Sequence, residues 1–576
     1  MCYRQWSLRG LVLGAGPWQT RPNMYLRVWI ALFVFSAAGV RGGQLPSPPA
    51  AGNAPDSSAA LSDALSLYRK GSFDQALAKY SEVLKADPQS GDAYAGTIRC
   101  YLKQEKVHEA DDALKKGLQA NPASADLKVA EGELLFRQGE IPEAGKLFDE
   151  VIARPPDPAQ PNVPPNARAY LGAARVASAN AMYAREHILL TRAHTLDGAD
   201  PDIRRLWIET LSMDDSIQSL QDYLGHPNND DEATRKRLRA RLDFLKAARL
   251  EKAGRCRPTG DVTATKTVMI SISLGGGSWQ GSGLEVSVNG KPSRMLLDTG
   301  ASGILISSQV ASLAGLKPGA AVTMGGIGDK PDTTAHLSSA ESVKIGEMEF
   351  SNCPLYIVER LPSTVDGIIG TDVFANFLID LDFTQSALQL SQLPPRPGEM
   401  PSKAALSSAG SAGGDVETKS GTGQTPGSQY QDRDIAPEMH SYVQAFRLGH
   451  YLLIPTTIDE HVQKLFVLDT GSFDNTISTV AAQEVTKIHR APRIDVKGMN
   501  GSVKKVYVAD RVTLDFGHLR QTVPNMVAID MSGPSRAAGT EISGTLGMVM
   551  LRLLRVRLDY RDALADFQYL QKPARR

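Results

Sequence analysis

The spacing of apolar positions changes character once along the chain. Between residues 59 and 212 apolar residues recur at helical intervals, with a longer period laid over them. Phe73, Val107 and Ile141 are spaced by 34, as are Ala76, Ala110 and Ala144, then Tyr80, Leu114 and Phe148. Leu84, Leu118 and Ile152 keep the same period, and so do Pro88, Pro122 and Pro156. A small Ala at a fixed place lets two paired helices approach closely. The large residue four positions later fills the groove beside it, and Pro stops the second helix. The Pro-rich stretch to Pro165 interrupts this array, and a degenerate helical unit is expected from Tyr170 to Leu211. Residues 230–254 read as one further helix. Its basic run (Arg235, Lys236, Arg237, Arg239, Arg241) is flanked by Asp and Glu and reads as a solvated face.

Beyond residue 267 the period becomes two. Leu284-Glu-Val286-Ser-Val288 alternates as a strand does, and Asn289-Gly290 is a strong hairpin-turn signal. Met295-Leu-Leu then runs into Asp298-Thr299-Gly300-Ala301-Ser302. Apolar residues ending in an acid predict a buried strand that stops at a turn, and Gly after Thr permits close backbone approach. A second copy follows the run Leu452 to Ile458 and a polar turn: Leu465-Phe-Val-Leu468 leads into Asp469-Thr470-Gly471-Ser472. The surroundings repeat too. Met324-Gly325-Gly326-Ile327-Gly328 is answered by Gly498-Met499-Asn500-Gly501, and the strand-like Val343–Ile345 by Val512–Phe516. Asp366-Gly-Ile-Ile369-Gly370 is answered by Ser543-Gly-Thr-Leu546-Gly547, with Asp382 and Asp559 each 12 residues after its glycine. The triplets lie 171 residues apart and the closing glycines 177, so the second copy carries about six extra residues, expected in a loop.

The paired Asp-Thr-Gly triplets with their surroundings resemble the aspartic proteases, and more closely the retroviral (retropepsin-like) type. The 34-residue period resembles the tetratricopeptide repeat (TPR). The fold class implied is multidomain: an all-α TPR-like helical repeat array followed by two all-β retropepsin-like acid-protease lobes. The expected boundaries are a signal peptide or anchor (1–43), a linker (44–58), the repeats (59–212), a helical connector (213–266), lobe one (267–393), a Gly/Ser/Pro linker (394–433) and lobe two (434–572).

The resemblance further implies an aspartic endopeptidase. Asp298 and Asp469 would share a water, one carboxylate acting as base and the other as acid. Thr299 and Thr470 would brace the loops across the axis, and Gly300 and Gly471 would let the backbones close in. Gly325, Gly326 and Ile327, with Gly498 and Met499, would form flap tips over an extended peptide. Pairing of the lobes within one chain is favoured over a homodimer, because paired lobes are free to diverge and lobe two has diverged. Phe473 stands where lobe one has Ser302, and Met499-Asn500 departs from the glycine-rich flap pattern. These departures support the alternative, a catalytically inactive interaction scaffold. The partners implied are a peptide or protein substrate and a protein bound by the repeats.

Composition bounds the rest. A chain of 576 residues holds about three to four domains. Its 63 basic and 63 acidic residues cancel, which gives no case for nucleic acid or an anionic membrane. Cys2, Cys100, Cys256 and Cys353 show neither metal-ligand spacing nor a disulfide framework. No His-Glu-x-x-His occurs, and no metal or cofactor is expected. Gly275-Gly-Gly277 lacks the Gly-Lys-Ser/Thr of a phosphate loop and reads as a hairpin connection. Arg27, the apolar run Val28–Phe35 and Ser36-Ala-Ala-Gly39 form a secretory-signal pattern. This predicts an exported protein, periplasmic or secreted, with Met24 as the start; an uncleaved membrane anchor is the alternative. Cleavage would remove Cys2 and leave an odd number of cysteines.

Overall fold

The computed structural model describes residues 57–155, 165–250, 256–260, 262–274, 279–330, 333–361, 365–396 and 433–570. The expected signal segment, nearly all of the first linker and most of the Gly/Ser/Pro linker lie outside these residues.

Helices pair as the period requires: Ser57–Arg69 with Phe73–Ala86, and Gly91–Lys103 with Val107–Ala120. Ala125–Gln138 pairs with Ile141–Ile152, and Ala167–Ala179 with Tyr183–Asp197. Ser90, Ser124 and Asn166 cap first helices by accepting backbone N–H groups of the opening turn. Ala76, Ala110 and Ala144 are wholly buried. The large residue of the period lies on glycine. A Cβ at Gly96 would sit 2.1 Å from the Tyr80 ring, and one at Gly172 would sit 2.3 Å from the Phe148 ring. Three more helices follow, Pro201–Ile208, Met213–Gly225 and Glu232–Leu250. The last begins at Glu232 rather than at residue 230, and residues 251–254 of the expected helix lie outside those described. Lys236, Arg237, Arg239 and Arg241 on it are exposed, as expected of a solvated face.

Two β units follow, residues 256–396 and 433–570. In the first, a nine-stranded sheet carries Lys291–Asp298, paired parallel with Gly367–Gly370 so that Gly370 lies opposite Asp298. In the second, an eight-stranded sheet carries Val462–Leu468, paired parallel with Gly544–Leu546. Asn289 and Gly290, at φ 47° and 78°, make the expected tight hairpin. Strands Ile270–Leu274 and Trp279–Val288 pair antiparallel, as a hairpin connection through the glycine run requires; residues 275–278 lie outside those described.

A six-stranded sheet joins the units. Phe377–Asp382 pairs antiparallel with Leu554–Asp559, setting Ile379 opposite Leu558, and each strand has its own hairpin partner outside it. One continuous apolar cluster runs through both units, including Leu297, Ile369, Leu381, Leu468, Leu546 and Leu558.

Three expectations need correction. Cys256 and Cys353 form a disulfide, with Cα atoms 4.0 Å apart. They are 97 residues apart, and sequence spacing carries no sign of a pair brought together when Arg257–Thr259 docks along Met348–Val358. That strand and Thr265–Val268 belong to the β region, so it begins ahead of residue 267 and the connector is not helical to its end. The six extra residues are not a plain loop. Fourteen residues separate Leu519–Ile529 from Gly544–Leu546, against eight between Met348–Val358 and Gly367–Gly370, and the surplus holds the helix Ser532–Ala538.

Candidate active site

Each Asp-Thr-Gly triplet turns away at the end of its strand, and the two turns meet. The Thr299 hydroxyl donates to the Leu468 carbonyl at 2.7 Å, and its oxygen accepts the Thr470 N–H at 2.9 Å. In return, the Thr470 hydroxyl donates to the Leu297 carbonyl at 2.8 Å, and its oxygen accepts the Thr299 N–H at 3.0 Å. Both threonines are buried at 1% exposure, so these four bonds satisfy groups that water does not reach.

The interlock brings the carboxyls together. Asp298 Oδ1 accepts the Gly300 N–H at 2.8 Å, while Asp469 Oδ1 accepts those of Gly471 and Ser472, each at 3.0 Å. Each glycine faces the opposite acid. A Cβ on Gly471 would lie 2.4 Å from Asp298 Oδ2, and one on Gly300 would lie 2.9 Å from Asp469 Oδ1. No other residue type fits at Gly471 without moving a carboxylate. The two carboxyl groups are close enough that each acts on the other's titration.

Both side chains keep a partial opening to the surface, but dense protein surrounds them and burial dominates their titration. Asp469 is pushed up to about 8, first by burial and then by the charge of Asp298. Asp298 is also raised by burial. The N–H donors of Gly300, Gly471 and Ala301 and the Asp469 carboxyl work against that rise. Both carboxyls are thus raised, and the pair favours a state that shares one proton and carries one charge. Burial, then the charges of Asp469 and Asp298, raise Tyr451 to about 12, keeping that phenol protonated beside them.

The loops are supported differently in the two units. Ser302 Oγ donates to Asp372 at 2.9 Å, and the Gly303 N–H reaches the same carboxylate at 2.9 Å. In the second unit the Gly547 N–H donates to Asn475 at 2.8 Å, and the Phe473 carbonyl accepts the Val549 N–H at 2.6 Å. His450, on the turn before Tyr451–Ile458, places Nε2 3.2 Å from the Gly300 carbonyl and reaches across from the opposite unit. Sequence reading missed His450, Tyr451 and Asp372, since no motif marks them and their roles depend on how the units meet.

The expected flap residues contact each other across the units. Gly326 faces Met499, and Gly498 faces Ile327. The Asn500 N–H donates to the Ile327 carbonyl at 2.9 Å, and the Lys330 N–H donates to the Asn500 carbonyl at 2.9 Å. Gly325, at the start of the first tip, is exposed. Among the described residues no cluster of three or more His, Cys, Asp or Glu could hold a metal ion.

A family profile described as aspartyl protease matches residues 284–373. Two profiles described as tetratricopeptide repeat match residues 67–116 and 101–161. The chain thus carries TPR repeats followed by an aspartyl-protease-type domain. No curated protein matches it. Among solved structures, pilF of Pseudomonas aeruginosa is 18% identical over 34% of this chain and 93% of its own, at a TM-score of 0.22. PilW, titled a widely conserved type IV pilus biogenesis factor, is 18% identical over 33% of this chain and 86% of its own, at 0.23. Scores this low carry no structural argument.

Proposed function

We propose that the two β units are paired retropepsin-like lobes of one aspartic endopeptidase, and that Asp298 and Asp469 activate a water between them. The observation that carries this reading is the reciprocal threonine interlock, which sets each glycine against the opposite carboxylate. In the singly protonated pair, Asp298 takes a proton from water as general base. Asp469 donates a hydrogen bond to the scissile carbonyl as the water oxygen attacks its carbon. The tetrahedral intermediate then collapses, the C–N bond breaks, and the amine leaves with the proton held by Asp298. Gly325, Gly326 and Ile327, with Gly498 and Met499, lie on the tips that would pair with an extended peptide as added strands. The repeats would recruit a protein substrate or partner. The Cys256–Cys353 bridge favours an oxidising compartment, in keeping with export.

The second reading is an inactive scaffold, favoured by the asymmetry at Phe473 and Met499. Hydrolysis of a broad peptide library across pH, by protein lacking the residues before Gln44, separates the two. The dyad predicts that Asp298→Asn and Asp469→Asn each cut turnover at least a thousandfold with the fold intact. If only one change matters, one lobe is active by pairing with its twin in another chain and the other is ancillary. No cleavage at any pH leaves the scaffold.

A further inference from the structure

The inner face of the repeat array is occupied. Arg99 and Glu133 stand at matching places on the first helices of successive pairs, 34 residues apart, and Arg168 lies in the opening turn of the first helix of the next pair. Arg99 Nε donates to Glu133 at 2.7 Å and Arg168 Nη1 donates to its other oxygen at 2.8 Å. Together with Tyr68 and Lys103, Arg168 converges on two acids that belong to none of the four pairs: Asp200 and Asp202, at the start of Pro201–Ile208. Asp202 Oδ2 accepts from the Tyr68 hydroxyl at 2.9 Å, Arg168 Nη2 at 2.8 Å and Asn229 Nδ2 at 3.3 Å. Its Oδ1 accepts from Lys103 Nζ at 2.5 Å. Asp200 Oδ2 accepts from Arg168 Nε at 2.9 Å, and its Oδ1 caps the helix on the N–H groups of Asp202 and Ile203.

In a repeat solenoid each unit touches only its neighbours. A hydrogen bond between residues 134 apart, from the first helix to the ninth, requires the chain to fold back across that face. Helices spread along the array can reach one short turn only where their shared face curves inward. Burying two carboxylates in this way is tolerable only with donors placed to receive them. Asn228 adds a second strap, its carbonyl seated against Gly71 in the first interhelical turn.

We propose that this inner face is a binding site for an Asp-x-Asp segment, and that its resident occupant is the chain's own Asp200-Pro201-Asp202 turn. A partner reaches this face of the repeats only by displacing that turn. The inference does not depend on the protease reading.

The test uses the full chain, as wild type and as the double variant Asp200→Asn, Asp202→Asn. The probe is a fluorescent peptide with the sequence of residues 196–208, beside a version with Asn at both acidic positions. Anisotropy should show the double variant binding the acidic peptide at least tenfold tighter than wild type, and at least tenfold tighter than the Asn version. Equal binding by wild type, or a folded variant indifferent to the acidic peptide, overturns the proposal. Should the variant lose its helical circular dichroism, hydrogen exchange on wild type decides. Amides of 201–208 and 228–231 should exchange as slowly as those of 91–103 and 125–138, and exchange a hundredfold faster overturns it.

Discussion

At the scale of single residues, the threonines and the acids put opposite demands on stability. Thr299→Val or Thr470→Val keeps the shape but strips a donor and an acceptor from a dry junction, stranding one carbonyl and one N–H of the facing loop. At roughly 1–3 kcal/mol per stranded group, each change should cost about 2–6 kcal/mol in urea unfolding, while Ser at either position should restore most of it. The acids act the other way. Folded Asp469 holds its proton more tightly than the unfolded chain, whose carboxyls titrate near the ordinary 3.8. Its contribution is therefore fully present below about pH 4 and is lost as pH climbs towards about 8. Asp469→Asn should melt higher than wild type at pH 7, and the gap should widen steadily from pH 4 to 8. A gap constant with pH would exclude the shift. The acids, threonines and glycines were legible in the sequence because their chemistry is packed into one short triplet. His450 and Asp372 were not, because what they touch is decided by strands far away in the chain.

Among the elements, the short helix Ser532–Ala538 accounts for the longer span between the second triplet and its closing glycine: this insertion and the residues just after it meet the repeats. Arg536 Nη2 pairs with Glu105 at 2.7 Å, the Thr540 hydroxyl donates to the Phe136 carbonyl at 2.6 Å, and the Glu541 N–H donates to the Arg137 carbonyl at 2.9 Å. Phe136, Ile141 and Phe148 pack with Leu465, Val467 and Ile542 beneath them. The length difference was visible in the sequence; its use was not, since a count of residues says nothing of what they dock against. The array was legible because key buried positions, Ala76, Ala110 and Ala144 among them, recur with the period. On the first unit, the disulfide fixes Arg257–Thr259 to the edge of its sheet. Closing a loop of 97 residues, it should contribute about 2–5 kcal/mol. Dithiothreitol should lower the melting temperature of wild type and leave that of Cys256→Ala, Cys353→Ala unchanged; equal sensitivity in both would show the bridge to be idle.

For the whole molecule, alternation along the chain marked the strands but not which sheet each would enter. Phe377–Asp382 and Leu554–Asp559 look like closing strands of separate units, yet they are one another's neighbours. Where the joining segment begins and ends adds to this. Arg396, just before it, pairs with Asp562 at 2.5 Å, and the charges of Asp562 and Asp559 act on Arg433, just after it. Both ends of the segment therefore lie within the influence of Asp562. Covalent continuity between residues 397 and 432 is then dispensable for the assembled shape. A single cut there should give a two-polypeptide protein that elutes as one species from a sizing column and separates only in denaturant. The tether governs how quickly the halves find each other, as a local concentration does, and leaves to the shared sheet how long they stay together.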